Sequence, residues 1–344
     1  MKRLVILTLV ATALAASGCG PEAPRPLTTP GGEDIPYLVL VEALRSGQPR
    51  LQAVAAETFM EVDRPPPMEE IDALADTRDP RVRTAAVALL GTMRRSALVP
   101  LFQRKTRDAD AAVRLAADFG LAMTGEPSRV TALRDALASP DVTLRRTAAW
   151  LLGLTGNTTA VGMLKVKLDD PDALVVLRAA EAMHRLGSAE GLERVRTLTA
   201  NEQHRVRYYA TRLLGPMGNT TDIPRLERLC QSRFLDVKFA AIAALAQRGD
   251  LKRIGMLLDM LGAPESETRV LAAVELGETG YTPATERLAD LLESRLPLER
   301  TVAAVAIMRV RSARKPWRTQ ILADDPAAAT PASGRPTPRQ PPGR

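Results

Sequence analysis

The residues able to do covalent or metal chemistry are few. The chain has two cysteines, Cys19 and Cys230, and two histidines, His184 and His204. Their spacing offers no zinc site. The sequence contains no glycine-rich phosphate loop and no nucleophile elbow. This reading assigns no catalytic residue, metal or cofactor, so recognition is the chemistry left to consider. Its best carriers are Phe119, Arg146, Trp150, Arg178, Glu181, Tyr208, Tyr209, Arg212 and Phe239. Trp, Tyr and Arg are enriched in binding hot spots. Only 3% of the chain is aromatic, so their concentration in the middle of the sequence is informative.

The N-terminus reads as an address. Lys2 and Arg3 precede an apolar run from Leu4 to Ala16. That run is too short to cross a bilayer core of ~30 Å as a helix. It ends in Ala16-Ser17-Gly18-Cys19, which resembles a bacterial lipobox. The resemblance implies cleavage before Cys19 and acylation of its sulfur, with acyl chains holding the chain on a membrane. Residues 1–18 are then a lipoprotein signal peptide. Gly20 after the cysteine would favour the outer membrane, facing the periplasm, in a Gram-negative cell.

Residues 19–36, rich in Pro, Thr and Gly, read as a flexible tether. Residues 313–322 read as a short cap. Residues 323–344, mostly Pro, Ala, Arg and Thr, are expected to be disordered. The formal net charge is +7. The excess lies in the signal segment and the tail, while residues 20–310 balance their acids and bases. Such a body has no bulk field for phosphates, which argues against a nucleic-acid partner.

Between these ends runs a repeat. Ala86, Ala117, Ala148, Ala179, Ala210, Ala241, Ala272 and Ala303 follow one another at intervals of 31 residues. Four residues on stand Leu90, Leu121, Leu152, Met183, Leu214, Leu245, Leu276 and Ile307. Three before each Ala is usually Arg, as at Arg83, Arg114, Arg145, Arg207, Arg269 and Arg300, with Lys238 and Val176 as substitutes. Offsets of three and four place these columns on one helical face. Asp79, Asp110, Asp141 and Asp172 stand where an N-cap belongs, and each could also pair with the Arg four residues on. Glycines on the same lattice, such as Gly156 and Gly280, end the helix. A second amphipathic stretch follows, so the unit is helix–turn–helix. Ala55 and Phe59 suggest one degenerate unit in front. Cys230 falls in a column of leucines and is expected to be a buried core thiol. His204 is expected in a solvated turn.

The pattern Asp-x-x-x-Arg-x-x-Ala-x-x-x-Leu-Gly at this period resembles HEAT-like repeats of the phycobilisome-lyase type. The resemblance implies an all-α solenoid of about eight to nine repeats over residues 37–312, a curved rod with a concave face. It does not imply lyase activity, since such repeats build many scaffolds. HEAT-like repeats also build the di-iron hydroxylase acting on deoxyhypusine, whose ligands are His-Glu pairs. Here His184 and His204 are each followed by Arg, so that activity is rejected.

Around each lattice Ala, the positions two before, one before and two after should face the concave groove. In the outer units they are small or aliphatic, as at Thr84, Ala88, Val274 and Val305. In the middle units nine of these positions hold the residues named above. Two readings stay open: Phe119, Trp150 and Phe239 pack between units as core, or they meet a partner. For Arg146, Arg178, Arg212 and Tyr209 the choice is between a solvated face and a partner site. The expectation is a lipid-anchored scaffold outside the cytoplasm, binding a protein or peptide in its groove. The alternative is a lyase-like or chaperone subunit acting on a chromophore-bearing or other protein.

Overall fold

The computed structural model describes residues 27–312 except Asp63. Among the described residues the chain forms eighteen α-helices and no strand. The first six are α1 (Ile35–Arg45), α2 (Pro49–Glu61), α3 (Met68–Leu74), α4 (Pro80–Thr92), α5 (Val99–Lys105) and α6 (Ala111–Met123). The next six are α7 (Val130–Ala136), α8 (Val142–Leu154), α9 (Ala160–Lys165), α10 (Ala173–Arg185), α11 (Leu192–Leu198) and α12 (His204–Met217). The last are α13 (Ile223–Leu229), α14 (Leu235–Ala246), α15 (Ile254–Met260), α16 (Ser266–Thr279), α17 (Ala284–Leu292) and α18 (Pro297–Arg311). The even-numbered helices from α4 carry the lattice alanines, and α2 carries Ala55. The pairs make nine units, and the degenerate unit is real: Ala55 and Phe59 are buried.

The columns have local causes. The Asp79, Asp110, Asp141 and Asp172 side chains accept backbone N–H groups of the first helical turn, as in Asp141 Oδ1 to Thr143 N at 2.7 Å. These aspartates cap; they are not the acids that the Arg column pairs with. Arg145 instead donates through Nη1 to the carbonyls of Ser139 and Pro140, at 2.9 and 3.1 Å, closing the end of the preceding helix. Its other nitrogens hold Asp170 of the next unit in a fork, both at 2.9 Å. Arg83 treats Asp108 in the same way, and Arg269 reaches Glu299. The Arg pairing therefore runs between units, from Arg to an acid beyond the next short helix. Gly153 shows why small residues line the contact between long helices: a Cβ there would lie 2.9 Å from the Ala182 Cα.

The nine units do not stop at a curved rod. α18 packs against α1 and α2, so the last unit meets the first. In an open stack the terminal helix would leave a face to solvent, yet every residue from Thr301 to Val310 is buried. Every residue from Leu51 to Phe59 of α2 is buried as well. Arg309 pairs with Glu61 at 2.7 Å, Arg300 with Glu42 at 3.4 Å and Arg311 with Asp34 at 2.9 Å across this seam. The result is a closed ring with the long helices inside and the short ones outside. Solenoids need polar capping repeats at their ends; here each end caps the other. Part of the expected tether belongs to the ring. The Leu27 carbonyl accepts Ile35 N–H at 2.9 Å, and Thr28 bridges Asp34. Cys19, the start of the tether, the 313–322 cap and the tail lie outside the described residues.

Candidate functional site

Because the long helices stand side by side, their N-terminal ends form one rim and their C-terminal ends the other. Their inward faces meet at the centre of the ring, where the candidate residues lie. Closure fills the groove that the sequence predicts. Phe119, Trp150 and Phe239 are buried to 5% exposure or less and belong to the core. Glu181 and Arg212 are buried too. Arg146, Arg178, Tyr208 and Tyr209 are half-buried, on the N-terminal halves of α8, α10 and α12. The expectation of an open concave groove is corrected on this point: the ring's own side chains occupy its centre.

That centre is a network of charges. Arg178 donates to Glu181 at 2.7 Å within α10, and Glu181 also faces Arg185 at 3.8 Å. Arg212 of α12 reaches past α14 to Glu275 and Glu278 of α16. The Tyr208 hydroxyl donates to Glu275 at 2.7 Å. Arg309 of α18 holds Glu278 at 3.1 Å and Glu61 of α2. Arg185 lies within electrostatic reach of Glu61 and Glu57 of α2 as well as of Glu181. Burial and these neighbours set the protonation. Burial pushes the Glu61 carboxyl up to about 7 even though Arg309 opposes it. Burial lowers Arg185 below the usual guanidinium range. Unpaired charges are prohibitive at such depth, so the carboxylates and guanidiniums must satisfy one another.

The sequence marks four of these residues, of which Arg185 already stands out beside Arg178 and Glu181 in the least regular unit. Glu61, Arg185, Glu278 and Arg309 all stand six residues after a lattice Ala. Elsewhere that column is Thr92, Met123, Leu154, Pro216 and Gln247. Charge in a column that is otherwise uncharged was the available signal.

The other chemistry-bearing side chains are placed as follows. Cys230 is buried and its thiol is pushed up by burial, as expected of a core residue. His204 is not simply solvated: it opens α12 and stacks on Phe234 with ring centroids 5.1 Å apart. Arg207 and Arg233 lie over the same ring at 5.0 and 4.8 Å. Among the described residues no group of three or more His, Cys, Asp and Glu side chains is arranged to hold a metal. Likewise, no described helix is long and apolar enough to cross a membrane.

The fold and its repeat define an all-α protein of stacked helix pairs. The HEAT repeats family matches residues 69–153, 98–176, 130–208 and 162–246, windows that together cover more than half of the chain. The chain belongs to that HEAT-repeat family. No curated protein matches the sequence. Among solved structures it is similar to the complex of CpcE and CpcF of phycocyanin lyase from Nostoc sp. PCC7120. That match has 20% identity over 71% of this chain and 95% of the other, with a TM-score of 0.31. It is also similar to YibA of E. coli, at 18% identity over 69% and 91%, TM-score 0.39. Human deoxyhypusine hydroxylase matches at 18% identity over 71% and 96%, TM-score 0.32. These are likenesses of repeat fold, and no activity follows from them.

Proposed function

We propose that the chain is a lipid-anchored scaffold of the cell envelope that holds a protein or peptide partner against one face of a closed HEAT ring. The observation that carries the reading is the lipobox-like Ala16-Ser17-Gly18-Cys19, eight residues ahead of Leu27, where the ring begins. A cysteine closing a lipobox-like signal would carry the acyl chains, and a ring of repeats behind it is a body suited to binding.

The partner face differs from the one read in the sequence. Arg146, Arg178, Tyr208 and Tyr209 remain partly accessible near the N-terminal ends of the long helices. Arg205 lies 6.0 Å over the Tyr209 ring on the same side. This mouth, not a groove, is the partner surface in the present reading. Buried Trp150 and Arg212 support the fold instead.

The test is in two parts. Mass analysis of the N-terminal peptide from cell membranes should find acyl chains on Cys19, lost in Cys19→Ser. An unmodified cysteine in the wild-type peptide removes the anchor. Crosslinking in solubilised envelope should then give a defined partner that the Arg146→Ala/Tyr209→Ala double variant loses while its melting temperature is kept. Unchanged crosslinking in that variant removes the mouth.

A further inference from the structure

The Arg column is not served evenly by acids. Around Arg83 stand three: Asp79 capping its own helix, Asp108 in the fork and Asp110 capping the next helix. Arg145 has the same three in Asp141, Asp170 and Asp172. Arg114 keeps two, with Ser139 in the fork position. At Arg207 all three are gone, and Gln203, Ser232 and Phe234 stand in those places. Arg269 and Arg300 stand in thinned columns too, but they reach Glu299 and Glu42 instead. Arg207 has no such substitute. Its Nη1 closes the Asn201 and Glu202 carbonyls, as its counterparts do in other units. Its guanidinium lies over Phe234, and among the described residues it makes no ion pair.

Bases and rings have replaced the acids. Arg233 stands in the column of Ala109, Pro140 and Pro171, and it shares the Phe234 ring with Arg207 and His204. Leu235 beside them is exposed. Two acids are close in sequence, Glu202 and Asp236. Neither pairs with these bases among the described residues. Asp236 lies within electrostatic reach of His204 and Arg207, but its carboxylate accepts the Val237 N–H at 2.8 Å and is pushed up by burial. The protein's own repeats show what an Arg in this column takes. In Arg83 and Arg145 the Nε and Nη2 edge holds both oxygens of one carboxylate. Arg207 brings the same edge, half-buried, to the N-terminal rim. A planar guanidinium suits a carboxylate there better than a point charge would.

We infer that Arg207, Arg233 and His204, grouped on Phe234, dock an acidic peptide segment of the partner, with one Asp or Glu side chain in the Arg207 fork. Clustered arginines are a recurring means of reading acidic motifs, and Leu235 offers a contact for an apolar neighbour. The site adjoins the mouth through Arg205 and Tyr209. It rests on the reading of that rim as the partner surface and names the partner's chemistry.

The probe is a fluorescent Gly-Ser peptide carrying a run of Glu and one Trp, titrated onto the full chain in mild detergent. It should bind, and the same peptide with Gln for Glu should bind at least roughly tenfold more weakly, since the bonds lost are charge-assisted. Ser232→Asp supplies the fork with a carboxylate of the chain, as Asp108 and Asp170 do. It should melt no lower than the wild type and lose the peptide by a similar factor. Ser139→Asp, the same change at Arg114, should leave binding unchanged. Unchanged binding by Ser232→Asp overturns the proposal, as does equal binding of the Gln peptide. Should Ser232→Asp melt early, Arg233→Glu decides, because Arg233 is exposed: it should weaken the peptide, and unchanged binding overturns the site. Tighter binding of polyphosphate at matched charge would assign the site to phosphates and overturn it too. Peptide binding that Ser232→Asp removes upholds the site even where Arg146→Ala/Tyr209→Ala leaves envelope crosslinking unchanged and the mouth falls.

Discussion

At the scale of single residues, the centre of the ring reverses a common intuition about ion pairs. Glu61 faces Arg309 across the seam, and protonating it by acid would be expected to open the ring. Yet its carboxyl is pushed up to about 7, chiefly by burial, so the ionised form is less comfortable here than in water despite the Arg. The sign follows from linkage. A group with a raised folded-state value contributes stability that is complete below its unfolded value, near 4.5, and is lost as pH rises through about 7. Stability should therefore fall across that window, with a slope approaching ~1.4 kcal/mol per pH unit from this one proton. Glu61→Gln should remove that part of the slope and be well tolerated at pH 8. Urea midpoints of both proteins across the window decide it: parallel pH profiles would exclude Glu61 as the titrating group. Arg309→Met is the contrasting case. It strands Glu61, leaves Glu278 with Arg212 alone, and should cost about 3–5 kcal/mol.

At the scale of the element, the Arg column joins one unit to the next, and its fork geometry is what counts. Arg145 closes two carbonyls behind it and one carboxylate ahead of it. Burial alone would raise Asp170, but hydrogen bonds from Arg145 and the Asp172 backbone hold it below the usual carboxylate range. Asp141 only caps its own helix. Asp141→Ala should thus cost ~1 kcal/mol, whereas Arg145→Ala should cost roughly 2–3 kcal/mol, because its bonds are charge-assisted and part-buried. Arg145→Lys should recover little of this, since an ammonium cannot serve three acceptors in a plane. Thermal melts of the three variants rank them, and recovery by Lys would show that charge alone matters. Most of this element was readable from the sequence. The Ala, Leu and Asp columns gave helices, caps and packing faces, and the 31-residue period gave the unit. The partner of the Arg was misread because local spacing points to the Asp four residues before. The true acids, Asp108 and Asp170, belong to the next unit. The central site was misread for a different reason. Residues two after a lattice Ala, such as Trp150 and Arg212, do point inward as expected. Whether inward means a groove or a filled centre depends on a small rotation per unit summed over nine units, which no local pattern encodes.

At the scale of the whole molecule, closure joins the two ends through a contact that differs from those between the other units. α18 lies chiefly along α1 and less against α2, whereas most neighbouring units meet through their long helices, and the seam is buried on both sides. A quasi-one-dimensional stack has two frayed ends from which unfolding can start; this ring has none among its described residues. Its chain ends also adjoin, since Asp34 and Arg311 are in contact and Leu27 sits against Ile35. Adjoining termini are the condition for circular permutation. A permutant that joins Ser312 to Leu27 through about eight flexible residues, a reach of at most roughly 29 Å, should therefore fold. New termini belong between Gly156 and Asn157, an exposed loop between α8 and α9. Its melting temperature should lie within several degrees of that of residues 27–312 in native order, with one cooperative transition. An open solenoid would give a different result, because a short linker could not span its length. Joining its ends would force strain or domain exchange, seen as oligomers in gel filtration or as a broad, early melt. A monomeric permutant with a native-like melt requires the ring; an aggregated or early-melting one would mean that the seam between α18 and α1 does not form in solution.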